Sequence, residues 1–381
     1  MHAEAATADL VIVGAGIVGL GAAYAGIRRG LRVVVIDRTD RPVGASIRNF
    51  GHLCIGAQGG SAREFADVSR EIWLRLAKDA GFWLRESGTL VAAQSDDEIE
   101  ILQSAAADGD VRMLDADELL QNAPLRRDAI VGGALITPDL QTNPREAISA
   151  LVAHLGSLGV EFRFRTAVTA VSAKRVETTR GAIDAGVVIV ATNHDVDQLL
   201  PELAERAGLV RCALDMMRVS VSVPRSLAAP LLTGWSLVRY GRFDAYAATA
   251  RLRERLHGDH PELAALDLNQ MYTQLPDGSL IIGDSHTKAG QPDPFQPEAA
   301  FDAFLSEMRG LFDIDRIDVL ERWQGIYAAA SKPFLIDEPE PGLYVIAATT
   351  GIGMTCGLGL AEHTLQNAFT RAPQLAQGGN P

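Results

Sequence analysis

The feature that most constrains the fold is a glycine-rich turn between two apolar segments near the start of the chain. Residues 9–13 (DLVIV) and 32–36 (RVVVI) are the two segments, and Gly14, Gly16 and Gly19 follow the first one in a G-x-G-x-x-G pattern. Short, mainly apolar segments are typical of strands buried on both faces of a parallel sheet. With a helix between them, they predict a β-α-β unit of about 30 residues.

This unit predicts a dinucleotide-binding site. Gly14 permits the tight turn, Gly16 lets the backbone approach a pyrophosphate, and Gly19 allows the helix to pack closely on the strand. Asp37, at the end of the second strand, can accept hydrogen bonds from a ribose. Because the acceptor at this place is more often Glu in flavoproteins, Asp37 slightly favours NAD over FAD. A glycine-rich turn that binds no nucleotide is the structural alternative.

The composition indicates a folded, acidic protein. The 381 residues include 35 Lys and Arg against 48 Asp and Glu, for a formal net charge of −13, and 47% of the residues are hydrophobic. This balance argues against binding to nucleic acid, which needs clustered basic residues. Cys54, Cys212 and Cys356 show no C-x-x-C or Cys/His spacing, so neither a disulfide framework nor a metal site is expected. A reducing, cytoplasmic compartment is therefore predicted.

Residues 10–27 contain no charged residue and are long enough to suggest a membrane span. Glu4 and Asp9 precede this stretch, where a signal peptide has basic residues, and five glycines lie within it in a regular pattern. The stretch is therefore predicted to be part of a folded domain, with no membrane partner.

The order of the remaining segments predicts an α/β fold with two domains. Apolar strands of the parallel type recur at residues 9–37, 160–192 and 343–348, and alternating, half-polar strands lie between them. We expect a discontinuous, Rossmann-like nucleotide-binding domain with an inserted α+β domain, built on a mainly antiparallel sheet. The predicted bounds are 1–53, 143–205 and 331–381 for the nucleotide-binding domain, and 54–142 and 206–330 for the substrate-binding domain. Helices are predicted at 61–80, 96–107, 144–158 and 301–312, strands at 89–93 and 219–223, and a hairpin at 270–282.

Four later segments resemble, in order, motifs of the D-amino-acid-oxidase-like superfamily of FAD-dependent amine oxidoreductases, the glycine- and sarcosine-oxidase-like proteins. Residues 44–51 (GASIRNFG) resemble its Gly-x-Ser-x-Arg-Asn-x-Gly segment beside the flavin ring, and 191–193 (ATN) resemble its Ala-Thr-Gly turn with Asn in place of Gly. Residues 322–325 (RWQG) resemble its Arg-x-Trp-x-Gly segment, and 350–355 (TGIGMT) its loop before the C-terminal helix. The sequence of residues 46–52 (SIRNFGH) is similar to the corresponding segment of a bacterial subgroup associated with aminophosphonate breakdown.

The resemblance implies non-covalently bound FAD. In some relatives a His tethers the flavin; Arg48 occupies that position here, and His52 lies beyond Gly51. Cys356 is a conceivable tether, although a small buried helix residue is the simpler interpretation. The implied cofactor-binding residues are Gly14, Gly16, Ile17, Val18, Gly19, Asp37, Arg38, Ser46, Arg48, Asn49, Val168, Ala191, Thr192, Asn193, Gly325, Gly351, Ile352, Gly353, Met354 and Thr355. In the C-terminal loop, the positive end of the following helix can stabilise negative charge on a reduced flavin.

The implied reaction is the oxidation of an amine to an imine, which water converts to an aldehyde. The amine would lose a hydride to the flavin, and the electrons would pass to O2 or another acceptor. The alternatives are a glycine, sarcosine or D-amino-acid oxidase or dehydrogenase, an NAD-dependent dehydrogenase, and a non-catalytic nucleotide-binding subunit.

The predicted substrate follows from two departures from the superfamily pattern. Tyr327 stands where members that oxidise α-amino acids often have an Arg that binds the carboxylate, and Thr355 where some N-methyl-amino-acid oxidases have a Lys. An amine whose anionic group lies farther from the reacting carbon is therefore expected, such as 2-aminoethylphosphonate. The predicted catalytic residues are His286, Tyr327 and Lys332, and the predicted substrate-binding residues are Arg242, Tyr272, Tyr240 and Trp323. Arg239 and Tyr246 belong to the same polar and aromatic cluster, and an exposed turn before Pro333 is the alternative for Lys332.

Overall fold

The computed structural model describes residues 6–370. Its strands are β1 (Ala6–Val13), β2 (Val33–Ile36), β3 (His52–Leu53), β4 (Leu84–Arg85), β5 (Thr89–Ala93), β6 (Val111–Leu114), β7 (Gly132–Ile136), β8 (Leu140–Thr142), β9 (Glu161–Arg163), β10 (Val168–Ser172), β11 (Arg175–Thr178), β12 (Gly181–Val190), β13 (Val210–Val221), β14 (Leu231–Leu232), β15 (Met271–Gln274), β16 (Leu280–Ala289), β17 (Ile317–Glu340) and β18 (Leu343–Thr350). Its helices are α1 (Ile17–Ile27), α2 (Gly60–Ala80), α3 (Asp96–Ala106), α4 (Ala116–Asn122), α5 (Pro144–Ser157), α6 (Pro201–Arg206), α7 (Gly234–Leu237), α8 (Ala247–Asp259), α9 (Pro261–Ala265), α10 (Glu298–Leu311) and α11 (Gly353–Thr370).

The predicted β-α-β unit is confirmed and forms the centre of a parallel sheet. β1 lies between β2 and β12, β9 extends the sheet beyond β2, and β18 extends it beyond β12, all with parallel pairing. Helix α1 packs closely on the turn and on β1, since a Cβ at Gly19 would lie only 1.9 Å from the carbonyl oxygen of Gly14 and 3.3 Å from the side chain of Ile12. The carboxyl ends of β1, β2 and β12 therefore open at one edge, where ligands of such sheets bind.

The second half of the fold is a mainly antiparallel sheet, as expected. β13 pairs with β16 and β17, β16 pairs with β15, and the order continues through β14, β5, β7 and β6. The predicted hairpin is present as β15 and β16, and the first part of the predicted strand 219–223, residues 219–221, forms the end of a longer strand, β13. Helix α10 packs against β16 and β13 and covers one face of this sheet.

The two halves are joined by β17, a 24-residue strand that the sequence did not predict. Its first part pairs with β13 and its second part with β18, so within residues 6–370 fifteen strands form one continuous sheet. β17 alternates poorly between apolar and polar residues, because its two parts face different surroundings and the pairing contains register shifts.

The packing of helix α2 differs from the predicted division into domains. Helix α2 lies in the segment 54–142 that was assigned to the substrate-binding domain, yet it packs against α11 of the other half. The Trp73 indole donates to the carbonyl of Met354 (2.9 Å), and the Ser69 hydroxyl accepts from the backbone N–H of Gly359 (2.8 Å). The apolar face of α2 completes the core beside the parallel sheet, whereas the rest of the division stays a prediction.

The uncharged stretch of residues 10–27 is divided between β1, the glycine turn and α1. Within residues 6–370, no helix combines the length and the apolar character that crossing a bilayer requires.

The contact between α2 and α11 gives a stability test. A Cβ at Gly359 would lie 2.1 Å from the carbonyl oxygen of Phe65, so Gly359→Ala must push the two helices apart. We expect a loss of about 1–3 kcal/mol in the free energy of unfolding, measured by urea titration. Gly258→Ala in α8 is the control, because open space surrounds that position and helix propensity favours Ala there. Equal stability of the two variants would contradict this packing.

Candidate functional site

A first cavity of about 530 Å³ opens at the carboxyl edge of the parallel sheet. It lies against the ends of β1, β2 and β12, the start of α1 and the start of α11. Among its lining are most of the predicted cofactor residues: Gly14, Gly16, Ile17, Val18, Asp37, Arg38, Ser46, Arg48, Asn49, Val168, Ala191, Thr192, Asn193, Gly325, Gly351, Gly353 and Met354.

Backbone geometry shapes the glycine turn in this cavity. Gly14 has φ +105°, and a Cβ there would lie 2.6 Å from the carbonyl oxygen of Ala191, so only glycine fits. The Asp37 carboxylate accepts from the backbone N–H of Ala15 (2.9 Å), and the Ser46 hydroxyl accepts from that of Ile17 (2.9 Å). Together these contacts fix the start of α1, whose N–H groups and dipole favour a bound phosphate.

Three further features of the first cavity fit a dinucleotide. The buried hydroxyl of Thr192 has no hydrogen-bond partner among the described residues, so a ligand in the cavity can satisfy it. Asn193 has φ +59°, the left-handed region in which the superfamily pattern has Gly and in which Asn is tolerated. The guanidinium of Arg38 forms an ion pair with Asp195 (2.7 Å), and both residues lie at the cavity wall.

A second cavity of about 380 Å³ adjoins the first. The residues that line both cavities, and therefore mark where they meet, are Asn49, Leu214, Tyr327, Gly351 and Met354. The second cavity is also lined by Tyr240 and His286 of the predicted site, and by Ile352 and Thr355, which the sequence had assigned to the cofactor. Gly19 lines neither cavity, because it packs against the turn.

Arg239 is the one lysine or arginine that lines the second cavity within the described residues. Its guanidinium contacts the Asp267 carboxylate (2.8 Å). Burial opposes the charge of Arg239, yet the Asp267 and Asp284 carboxylates outweigh it and raise its pKa. Burial likewise opposes ionisation of Asp267, but Arg239 holds the pKa of that carboxyl below its ordinary value. The pair therefore stays charged at neutral pH.

His286 and Asp284 lie beside each other at the wall of the second cavity. The Nδ1 atom of His286 lies 2.9 Å from the carbonyl oxygen of Asp267, which can only accept, so Nδ1 is the protonated nitrogen. The Nε2 atom lies 3.3 Å from a carboxylate oxygen of Asp284. Nδ1 is thus held by the backbone, and Nε2 is the ring nitrogen that faces the carboxylate.

Tyr327 supplies a neutral hydroxyl where the two cavities meet. Burial raises the pKa of the Tyr327 phenol far above its ordinary value, so it acts as a hydrogen-bond donor and acceptor at neutral pH. A Cβ at Gly351 would lie 3.2 Å from this hydroxyl oxygen, so the ring occupies the space beside the C-terminal loop.

Two predicted substrate-binding residues are used elsewhere. The buried guanidinium of Arg242 donates to the carbonyls of Gly56 (2.7 Å) and Ala105 (3.0 Å) and lines neither cavity. Tyr272 points to the opposite face of β15, because successive side chains of a strand alternate. Its hydroxyl accepts from Gln270 (2.9 Å), and its ring packs on Phe312.

Trp323 and Lys332 also lie outside both cavities. The Trp323 ring packs under the guanidinium of Arg145, 5.1 Å from its centre. Lys332 is exposed, as the alternative interpretation expected, but it lies within β17 and not in a turn, and its backbone carbonyl accepts from the Thr349 hydroxyl. Arg239, not Lys332 or Arg242, is the cation that the structure brings to the second cavity. The sequence indicated Arg239 only through its place beside Tyr240 in the predicted polar and aromatic cluster.

The comparisons with known proteins agree with this geometry. A family model described as "DAO: FAD dependent oxidoreductase" matches residues 9–366. A subunit of opine oxidase from Rhizobium meliloti is 25% identical, and the match covers 97% of this chain and 94% of that subunit. The fold is similar to glycine oxidase from Geobacillus kaustophilus (TM-score 0.76, 20% identity, 97% and 96% coverage). It is also similar to L-alpha-glycerophosphate oxidase from Mycoplasma pneumoniae, solved with FAD bound (TM-score 0.75, 17% identity, 95% coverage of both chains).

The side chains at the conceivable tether positions predict that FAD is bound non-covalently. Arg48 lines the first cavity, whereas His52 lines only the second and Cys356 neither; the Cys356 thiol donates to the carbonyl of Ala62 (3.3 Å). Acid precipitation should therefore release FAD into the supernatant. A yellow pellet after washing would contradict the prediction.

The loop before α11 predicts an effect on the bound flavin. At Gly353 a Cβ would meet only the Cβ of Ala348, at 3.8 Å, so both Gly353→Ala and Gly353→Asp should fold. An added carboxylate a few ångströms from negative charge on the reduced cofactor costs about 1–2 kcal/mol, or roughly 20–40 mV for a two-electron couple. We expect a lower reduction potential or less bound FAD for Gly353→Asp, relative to Gly353→Ala. No difference between them would place the loop away from the flavin ring.

Proposed function

Because the chain belongs to the DAO family of FAD-dependent oxidoreductases, we propose that it oxidises an amine whose anionic group binds near Arg239. The residues of the first cavity would hold FAD, with the pyrophosphate at the start of α1 and a ribose hydroxyl at Asp37. Bound FAD supplies the two-electron acceptor for the oxidation. The observation that supports the amine site is the second cavity, which meets the first beside Tyr327.

The polar groups of the second cavity suit an amine that also has an anionic group. Arg239 offers a permanent positive charge, which the Asp267 pair keeps in place. Nε2 of His286 and the Asp284 carboxylate lie side by side at the cavity wall (3.3 Å), so we assign proton exchange with the substrate amine to this pair. The neutral hydroxyl of Tyr327 can orient the substrate at the meeting point but offers no fixed charge for a carboxylate there.

Among anionic amines, we propose an aminophosphonate such as 2-aminoethylphosphonate or its N-methyl form. The uncharged Tyr327 and Thr355 positions support an anion held away from the reacting carbon, and Arg239 is a cation on the wall of the same cavity. A secondary amine of the opine type is the second candidate, favoured by the similarity to the Rhizobium meliloti opine oxidase subunit over almost the whole chain. A cytoplasmic location and the electron acceptor, O2 or another, stay predictions.

The test is an anaerobic bleaching screen of the holoenzyme at 450 nm, an absorbance typical of oxidised flavin. The panel contains 2-aminoethylphosphonate, its N-methyl form, an opine, glycine, sarcosine and D-alanine, and kcat/KM is then measured for each compound that bleaches. A preference for glycine, sarcosine or D-alanine would overturn the aminophosphonate proposal and retain amine oxidation. If no amine bleaches the flavin, amine oxidation itself is wrong.

Replacing Arg239 tests the anion site. Arg239→Met should lower kcat/KM for the anionic amine. The lost transition-state stabilisation, calculated from the ratio of the kcat/KM values, should be about 1.5–3 kcal/mol, the contribution of a hydrogen bond to a charged group. This change also leaves the Asp267 carboxylate without its Arg239 partner. The double variant Arg239→Met/Asp267→Asn removes that carboxylate charge as well, so it measures the effect of losing the cation alone. Lys332→Met is the matched control, since Lys332 is exposed and lines neither cavity.

A neutral substrate of similar size completes this test. Propylamine turnover, if measurable, should change little in Arg239→Met relative to the anionic amine. Equal losses for propylamine and the anionic amine would show that Arg239 supports the cavity and does not bind the anion.

A further inference from the structure

The wall of the second cavity contains a thiol paired with an imidazole, and the proposed amine oxidation uses neither. The Cys54 sulfur lies 3.1 Å from Nδ1 of His52, and both side chains line the cavity. His52 belongs to β3, and Cys54 directly follows that strand. Both side chains are buried in the protein, so the cavity is the space into which the thiol can react.

A chain of hydrogen bonds fixes the protonation of His52. The Thr89 hydroxyl has one hydrogen, which it donates to the carboxylate of Asp139 (2.6 Å). Its oxygen therefore accepts from Nε2 of His52, 2.5 Å away, and Nε2 is the protonated nitrogen. In the neutral ring, Nδ1 is then a base that faces the thiol. The Asp139 carboxylate is fully buried and also accepts from the backbone N–H of Gly56 (2.6 Å).

The position of the sulfur is also fixed. The backbone N–H of Cys54 donates to the Thr355 hydroxyl (3.1 Å), and its carbonyl accepts from the side chain of Gln58 (2.9 Å). The hydroxyl of Tyr240 also contacts the sulfur, at 3.4 Å. A nucleophile, a base and a group that orients the base are thus in hydrogen-bonding sequence, which is the general pattern of an activated nucleophile.

The other two cysteines offer an internal comparison. Cys212 and Cys356 are buried free thiols, like Cys54. Neither lines one of the two cavities. The Cys356 thiol donates to the carbonyl of Ala62, and the Cys212 sulfur contacts the carbonyl of Ala213 and the Tyr327 hydroxyl.

We propose that Cys54, with His52 as its base, is a nucleophilic site that adds reversibly to the carbonyl carbon of a small aldehyde in the second cavity. A sulfur lone pair forms the S–C bond while the carbonyl π pair moves to oxygen. The thiol proton passes to Nδ1 of His52 and then to that oxygen, which gives a hemithioacetal without any oxidant. Oxidation of a primary amine followed by hydrolysis yields an aldehyde in this same cavity. That the aldehyde is the enzyme's own product therefore rests on the proposed function.

The protonation state of the sulfur before reaction agrees with proton transfer to His52 during formation of the S–C bond. Burial raises the pKa of the Cys54 thiol well above its ordinary value, and the nearby Asp139 carboxylate adds to the effect. The group is therefore a thiol that donates to His52 at rest. The proton leaves only as the S–C bond forms, which is when the base is needed.

The first experiment is alkylation of the holoenzyme with iodoacetamide, followed by peptide mass spectrometry over time. Cys54 should react at least about tenfold faster than Cys212 and Cys356, and His52→Gln should slow Cys54 by at least about tenfold, a modest share of what a general base contributes. Thr89→Val is the second variant, because it removes the group that orients His52 and leaves the ring in place. Circular dichroism and FAD content verify that each variant is folded.

The second experiment tests the ligand class with propanal as the probe. Millimolar propanal should protect Cys54 from iodoacetamide at least about threefold, whereas 1-propanol, which has no carbonyl carbon, should not. Neither the alkylation rate nor the protection by propanal requires turnover. The nucleophilic site can therefore fail while amine oxidation holds, and amine oxidation can fail while the nucleophilic site holds. Equal alkylation of the three cysteines, or an unchanged Cys54 rate in both folded variants, would overturn the nucleophilic site. Equal effects of propanal and 1-propanol would overturn the aldehyde.

Discussion

The two halves of this protein are held in one register by the pairing of a single strand. β17 hydrogen-bonds to β13 through its first part and to β18 through its second, so the antiparallel and the parallel sheets form one surface. Tyr327 lies near the change of partner, where the Asn193 side chain accepts from the backbone N–H of Ala328 (2.8 Å). Arg48 donates to the carbonyl of Gln324 on the same strand (3.2 Å). Because consecutive backbone hydrogen bonds fix a register, the meeting point of the two cavities is set by backbone geometry.

The two cavities obtain their chemistry in different ways. The first depends on missing side chains and on helix ends: glycine lets the backbone come close, and the starts of α1 and α11 provide N–H groups without intrahelical partners. The second depends on polar side chains held by one another, such as the charged pair of Arg239 with Asp267 and the contact of His286 with Asp284. An isolated buried charge is costly, so the charge of Arg239 is paired with that of Asp267, and burial keeps Tyr240 and Tyr327 neutral.

The predicted substrate-binding residues that line neither cavity share one cause. The sequence indicated which segments approach the cofactor but not which side chain of each segment faces it. On β15 the cavity is lined by Met271, and the neighbouring Tyr272 points into the opposite core, because a strand alternates its faces. After α7 the chain presents Arg239 to the cavity, whereas Arg242, three residues later, binds two backbone carbonyls. One step in register reverses such an assignment, and polarity alone does not reveal it.

By itself the sequence determined the β-α-β unit, the dinucleotide site, the order of the parallel and antiparallel parts and most of the first cavity. These follow from short-range rules: strand burial, the space that a glycine turn needs, and the dipole of the helix that follows. Only the tertiary structure decided that α2 packs on α11, that β17 joins the sheets, and that Arg239 is the cation of the second cavity. It also decided that Cys54, His52, Thr89 and Asp139 form one chain of hydrogen bonds. Those contacts join residues up to hundreds of positions apart, and their geometry exists only once the whole sheet has set the distances between segments.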